Sequence, residues 1–357
     1  MANVKIGNKD YVDIKEYLNP KFPYQAFLGG RGSGKTFSAF NLLLSIWNET
    51  KRKGIWMRRT ETEMELLGDS RTRGEGLNPF KSYNTNKGTN YGLVPMNKKV
   101  WLIQERTFDE KGSMTVEGVP IGYGLALSSV ATIRGIDLSD CDILIFDEFI
   151  KEQHVKTMSG EADAFFNAIE TISRNRELEG KAPLLVFLLS NSTDINTPIF
   201  GALNIVNHVE RMARKGQQHC YFDDKGLGVH LLEASSNFVT QKSQTSLYKL
   251  TNGSRFHRMS LGNEFAYNDF SLVQWRNTKG LKPICQVDDW FIFSGSFTYV
   301  TYMAGQKVHK YHASRLQEAK EFRFKYGAWL LDQFISSKIF FETYELKEKF
   351  IDIMKIK

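Results

Sequence analysis

Gly29-Gly30-Arg31-Gly32-Ser33-Gly34-Lys35-Thr36 is the stretch from which the fold of this chain is read. It fits GxxxxGK[ST], and its flanks are those the pattern needs. Before it, Tyr24-Gln25-Ala26-Phe27-Leu28 is a short apolar run behind Pro23, the pattern of a buried strand. After it, Thr36 to Asn48 carries Phe37, Phe40, Leu43, Leu44 and Trp47 at a helical period. A strand, a glycine-rich turn and a helix in that order make a phosphate cradle. Backbone N–H groups turn inward around phosphate oxygens, and the helix N-terminus adds its positive dipole end. Lys35 then reaches the β- and γ-phosphates, and Thr36 offers its hydroxyl to Mg²⁺.

Such a loop needs an acid at the end of a neighbouring strand. Asp142-Ile143-Leu144-Ile145-Phe146-Asp147-Glu148 supplies it behind a continuous apolar run. Asp147 is the expected Mg²⁺ ligand, and Glu148 the base that polarises the attacking water. An adjacent Glu suits ATP hydrolysis rather than transfer to a second substrate. The next apolar strand, Leu184 to Leu189, ends in Ser190-Asn191-Ser192. Those polar side chains either contact the γ-phosphate and its water or simply open a turn. Tyr24 and Gln25 are candidates for the adenine pocket. Arg174 and Arg176 close a predicted helix over Ala164 to Leu178, where arginines are either dipole partners or reach a neighbouring subunit's phosphate.

Both faces of runs such as Ile143–Phe146 and Leu184–Leu189 must be covered, which predicts a mainly parallel sheet flanked by helices. The predicted fold is therefore an α/β P-loop NTPase of the ASCE type, followed by a small α+β domain. Residues 1–205 are assigned to the first domain, 206–260 to a helical basic linker and 261–357 to the second domain. Residues 68–98, rich in Gly, Asn and Lys, read as a long loop. Ile121 to Leu127 and Trp290 to Tyr302 read as strands, and Ser314 to Phe334 as a helix.

The 357 residues carry 47 Lys and Arg against 40 Asp and Glu, and the excess is unevenly placed. Residues 1–205 hold 25 basic and 25 acidic side chains, while 206–357 hold 22 and 15. A neutral first part and a basic second part suit a machine that turns over a small ligand at one end and holds a polyanion at the other. The longest apolar run is far short of the roughly 20 residues of a membrane helix. Three scattered cysteines argue against a disulfide framework and for a reducing compartment.

In this order the pieces resemble the terminase large-subunit class of viral DNA-packaging motors, and more closely the small packaging ATPases of phi-29-like podophages. The strings that carry the resemblance are GRGSGKT at 30–36, Arg58-Arg59, Ile133-Arg134-Gly135, FDEFI at 146–150, RNRE at 174–177, LSN at 189–191 and MSLGNEF at 259–265. The resemblance implies a homo-oligomeric ring, usually of five subunits. The ring docks on the portal of a procapsid in the host cytoplasm and drives double-stranded DNA inward with ATP. Further partners are the portal or connector itself and, optionally, a packaging RNA. It assigns Arg174 to a trans-acting finger and places Arg58 and Arg134 near the nucleotide at the subunit interface, with Arg176 and Ser190 as coupling candidates. It also implies a C-terminal domain resembling a degenerate RNase H fold.

Two-metal cleavage needs several clustered carboxylates, beginning with one inside the first strand. The candidate strand from Trp290 to Gln306 has none, so nuclease activity is not expected. The domain is read instead as a nucleic-acid or portal contact, through Lys307, Lys310, Arg315, Lys320, Arg323 and Lys325. Two alternatives are a helicase or loader acting on single strands and a non-enzymatic, nucleotide-switched portal adaptor. The first would expose aromatics for base stacking. The second has no need of Glu148.

Overall fold

A computed structural model describes residues 3–6, 9–30, 32–70, 74–132, 137–151, 158–191, 195–232, 236–252 and 272–356. The chain divides into two units: Met1–Asp194 with Met212–Ala266, and Ile195–Arg211 with Tyr267–Lys357.

The first unit opens with a hairpin of β1 (Asn3–Ile6) and β2 (Lys9–Val12), then β3 (Tyr24–Gly29), α1 (Lys35–Thr50) and β4 (Lys53–Arg58). Next come α2 (Glu61–Leu67), α3 (Lys81–Lys87), β5 (Tyr91–Pro95), β6 (Val100–Phe108) and β7 (Met114–Ala126). They are followed by β8 (Cys141–Asp147), α4 (Glu161–Ser173) and β9 (Leu185–Ser190). After α5 (Pro198–Ala202) and α6 (Val206–Arg214), which belong to the second unit as far as Arg211, the first unit adds β10 (His219–Phe222), β11 (Leu227–Leu232), α7 (Ser236–Ser243) and α8 (Ser246–Leu250). Nine strands form one sheet in the order β10-β11-β3-β9-β8-β4-β7-β6-β5. The six from β11 to β7 run parallel, and β10, β6 and β5 are antiparallel additions. This is the predicted mainly parallel α/β sheet.

The core follows from the apolar strands. Ile143 to Phe146 in β8 and Val186 to Leu189 in β9 are buried throughout. α1 turns Ala39, Phe40, Leu42 and Leu43 onto the sheet, each contributing about 1.5–3 kcal/mol for the larger side chains. Phe37 and Trp47, at the margin of that face, are half-buried. α2 starts with a reciprocal cap: Glu63 N donates to Thr60 Oγ1 (3.2 Å) and Thr60 N to Glu63 Oε2 (3.2 Å).

Two expectations are corrected. Residues 206–260 are not a helical linker, because β10 and β11 complete the main sheet and β11 pairs in parallel with β3. All six residues of β11, Leu-Gly-Val-His-Leu-Leu, are buried, and the run was missed because its Gly and His interrupt the apolar pattern. Residues 68–98 are not one long loop, since they hold α3 and β5. Two of their asparagines bond backbone: the Asn78 and Asn84 side chains both donate to Tyr91 O, at 2.7 and 2.8 Å.

The second unit is α+β, as expected. It contains β12 (Lys282–Val287), β13 (Trp290–Ser294), β14 (Thr298–Thr301), β15 (Lys310–Tyr311), α9 (Leu316–Ile335), β16 (Ile339–Phe341) and α10 (Tyr344–Met354). The sheet order is β15-β12-β13-β14-β16, an antiparallel meander with a parallel strand on each edge. Its first strand is β12, ahead of the Trp290 at which the sequence placed it. Phe322 and Leu330 of α9 pack with Phe350 of α10 on Ile292, Val300 and Phe341.

Candidate active site

Four adjacent parallel strands, β3, β9, β8 and β4, deliver their carboxyl ends to one edge of the sheet. Ligands gather at such an edge because the loops leaving it are free to vary while the strands hold position. The residues delivered are Gly29 and Gly30, then Ser190 and Asn191, then Asp147 and Glu148, then Arg58. Leu28 pairs with Ser190 and Asp147 with Leu189, so these ends are level.

The loop after β3 is tightly constrained. Gly34 caps α1 at φ 85°, a conformation costly for any residue with a Cβ. A Cβ there would also lie 2.7 Å from the Cβ of Tyr11, because β2 crosses the loop and Val12 N donates to Ser33 O (3.0 Å). Gly29 backs onto the Leu232 carbonyl of β11, leaving 2.7 Å for any Cβ. Lys35 is buried, and its ammonium donates to Gly29 O (2.8 Å), Gly30 O (3.1 Å) and Ser33 Oγ (2.9 Å). Burial lowers its pKa to about 8, against the opposite pull of Glu148 and Asp147. Thr36, one residue on, has a hydroxyl without a partner among the described residues.

Asp147 is buried, which pushes its carboxyl upward, while the Arg58 guanidinium opposes that shift by donating to its Oδ2 at 2.8 Å. Arg58 thus stands beside the acid. Glu148 leaves the strand at φ 55°. That turn aims its carboxylate at β9, where Asn191 N donates to Oε2 (3.1 Å) and the Asn191 amide to Oε1. Asn191 also lines the cleft over the loop, joining the glutamate to the cleft wall. Ser190 is buried.

Tyr24 and Gln25 lie at the other end of β3, four or five residues and about 15 Å from the loop. Gln25 is buried, its amide donating to Phe22 O (2.7 Å) and its Oε1 accepting from His230 Nε2 (2.7 Å). The adenine pocket expected at these two residues is therefore corrected: they sit at the wrong edge, and the glutamine is consumed internally. Arg176 is likewise at the amino end of β8, donating to Cys141 O (2.8 Å) and Asp142 Oδ1 (2.6 Å). It pins the end of α4 to the sheet. Arg174, at φ 47° just after α4, is exposed and 3.5 Å from Asp137. Arg31, Arg134 and the string 259–265 lie outside the described residues.

Reading by motif missed part of the cleft. Its volume is about 810 Å³, and besides residues 32–36 and Asn191 it is lined by Tyr11, Phe37, Ser82, Thr85 and Asn86. The spacing of the last three is a helical stripe that the loop assignment concealed. Also missed was a buried bidentate pair beside the site: Arg59 donates to both Glu161 oxygens, at 2.9 and 2.7 Å.

In the second unit, Lys307, Lys310, Lys320 and Lys325 are exposed. Arg315 is exposed but tied to Glu318 (2.8 Å), and Arg323 donates to Ile353 O (2.8 Å). Arg323 therefore serves the α9–α10 packing. The strands KPICQV, WFIFS, TYVT, KY and IFF carry no carboxylate. Glu342 is taken up by Tyr302 N (2.9 Å), and no set of three metal-ligating side chains occurs among the described residues. No helix among them is long and apolar enough to cross a membrane.

Comparison with known proteins places the chain. The family profile of the podovirus DNA encapsidation protein (Gp16) matches residues 87–312. The DNA packaging protein of Bacillus phage B103 is 23% identical over 262 residues, 73% of this chain and 69% of the relative. That of Bacillus phage phi29 is 24% identical over 163 residues, 45% of each. Among solved structures, the bacteriophage Phi-29 viral genome packaging motor assembly superposes with a TM-score of 0.63 at 16% identity, covering 96% of this chain and 99% of that one. The Phi-28 gp11 DNA packaging motor gives 0.58 at 18%, covering 97% and 98%. With a family profile spanning well over half its length and the P-loop fold described above, the chain belongs to the podovirus DNA encapsidation protein (Gp16) family.

Proposed function

We propose that this chain is an ATP hydrolase, the motor subunit that drives double-stranded DNA into a viral procapsid. The observation that carries the reading is the convergence of Lys35, Asp147, Glu148 and Asn191 on one sheet edge around the P-loop cleft. In the protein alone, the Lys35 ammonium is satisfied by carbonyls and Ser33. Phosphate oxygens entering the loop replace those neutral acceptors with charged ones, a gain of charge-assisted hydrogen bonding. Glu148 takes the proton of the attacking water, and Asn191 holds the carboxylate in line for it.

The donor set suits magnesium, because Thr36 and Asp147 offer a hydroxyl and a carboxylate, both hard oxygens. The ion supplies charge neutralisation on the phosphoryl oxygens when bound. Arg58, bonded to Asp147, is placed to respond to that change of charge.

Arg174 lies near the amino end of β8, some 20 Å along the strand from Asp147. It cannot serve its own site, and its exposure suits use on a neighbouring copy in a ring. Similarity to packaging motor assemblies supports the oligomer. The portal and duplex DNA are the proposed partners, with a packaging RNA as an optional one, and Lys307, Lys310, Lys320 and Lys325 as backbone contacts. Such binding weakens steeply with salt.

The test is ATP turnover at low salt with duplex DNA, single-stranded DNA or none, beside Glu148→Gln. Duplex stimulation is expected, and the variant should keep ATP affinity while losing turnover by about 10²–10⁴. Stimulation by single strands alone would replace the motor with a helicase. Turnover unaffected by the substitution would remove Glu148 from the chemistry.

A further inference from the structure

The cleft at the P-loop is wider than a triphosphate needs, and its far wall is α3. Ser82, Thr85 and Asn86 stand at i, i+3 and i+4, which puts them on one face of that helix. All three are exposed and line the cleft. The other face is locked down. Tyr83 packs its ring against Phe37 (5.1 Å between centroids) and edge-on against Phe40 (5.0 Å) of α1. Asn84 is buried, donating to Tyr91 O (2.8 Å) and accepting from Tyr91 N (3.0 Å). The polar stripe is thus presented by a fixed element, the arrangement that a recognition surface requires. Ser82 and Asn86 have no side-chain partner among the described residues. Thr85 donates only to Lys81 O (2.9 Å), so its oxygen can still accept.

Tyr11, which lies over Gly34, and Phe37, which follows Thr36 in the first turn of α1, line the same cleft. The lining therefore combines the charged loop, two aromatic side chains and a row of hydroxyl and amide groups. A nucleotide combines the matching chemistry: phosphates, a sugar with hydroxyls and a flat ring with polar edges. The volume of about 810 Å³ falls in the range of small-molecule sites. The competing location at Tyr24 and Gln25 is at the opposite sheet edge, with the glutamine already bonded.

We infer that α3 is the sugar- and base-recognising wall of the nucleotide site, with Ser82, Thr85 and Asn86 as specificity-determining residues and Tyr11 and Phe37 as the apolar surface. This rests on the reading of the P-loop as an ATP site.

Calorimetric binding to the full chain tests it, with ATP, 2′-deoxy-ATP and inorganic tripolyphosphate as probes. Thr85→Val with Asn86→Leu should weaken ATP about tenfold, the loss of one to two neutral hydrogen bonds, and leave tripolyphosphate within twofold. Far-UV dichroism and melting of the variant check the fold, which these exposed positions should not disturb. ATP affinity within twofold of wild type in the double variant, or an equal loss for ATP and tripolyphosphate, overturns the assignment. Lys35→Ala separates the two levels: it should weaken all three probes. If it does and the α3 variant has no effect, the ATP reading stands and the α3 wall falls. If Lys35→Ala leaves ATP binding intact, the P-loop reading itself fails.

Discussion

Replacing Arg59 by Met is the most demanding test of the packing beside the site. Arg59 follows the residue that holds Asp147, and both it and Glu161 are only 2% exposed at their side chains. The guanidinium makes two charge-assisted bonds, at 2.9 and 2.7 Å, to a carboxylate on the first residue of α4. At that depth solvent does not screen the charge, so removing one partner strands the other, at a cost of about 3–5 kcal/mol. The helix N-terminus offsets the stranded Glu161 by roughly 0.3–1 kcal/mol. A transition of a domain this size moves by about 2–4 °C per kcal/mol, so the net cost of about 2–4.7 kcal/mol should lower the first unit's melting in Arg59→Met by roughly 4–19 °C. Replacing both, as Arg59→Met with Glu161→Leu, removes the pair without leaving a buried charge and should recover much of that loss. Differential scanning calorimetry of Arg59→Met, Glu161→Leu and the double variant in the full chain completes a double-mutant cycle. A double variant melting no higher than Arg59→Met would show that the loss comes from packing, and the stranded-charge argument would be wrong.

Other outcomes follow from the same geometry. Because Gln25 turns its amide nitrogen to Phe22 O, His230 must donate to it from Nε2 and accept from His219 at Nδ1 (2.9 Å). A second proton on His230 would face a donor, and burial already lowers its pKa to about 3. Below pH 6.5 the unfolded chain binds a proton that the folded one refuses, so stability falls by about 1.4 kcal/mol per pH unit, about 2 kcal/mol by pH 5. His230→Gln keeps both bonds and should flatten that slope in urea titrations at pH 7 and 5; an unchanged slope would place the acid sensitivity elsewhere. Gly34→Ala forces a Cβ onto Tyr11 at φ 85° and should cost about 1–2 kcal/mol in backbone conformation alone. Tyr11→Gly in the same chain, which removes the opposing Cβ, should relieve the clash but not the backbone cost, which melting of the two variants would separate.

What the sequence disclosed was governed by distance along the chain. The strand, loop and helix from Tyr24 to Asn48 are contiguous, so their hydrophobic period and glycines announce the phosphate cradle without tertiary knowledge. The apolar runs of β8 and β9 are self-evident for the same reason, and the acids at the end of β8 come with them. β11 was missed because its His230 is made tolerable by Gln25, 205 residues away. No local window contains that bond. The same cause misplaced Gln25 itself, whose polarity beside a phosphate loop suggested a ligand when it was the partner of a buried histidine.

The 68–98 stretch failed in the same way and with a larger consequence. Asparagine and glycine report loops on average because they satisfy backbone groups where no ladder does. Here Asn78 and Asn84 do that for Tyr91, which lets a short helix sit against α1 and carry a polar stripe to the cleft. Arg58 shows the converse: only the resemblance singled it out from the sequence, and the structure bonds it to Asp147, on a strand 89 residues away. A motif defines the charged end of a ligand well, because phosphate demands a fixed local geometry. The sugar and base make no such demand on contiguous residues. Their wall is assembled from elements distant in sequence, so it becomes visible only when side chains from β2, α1 and α3 are seen to meet around one cleft.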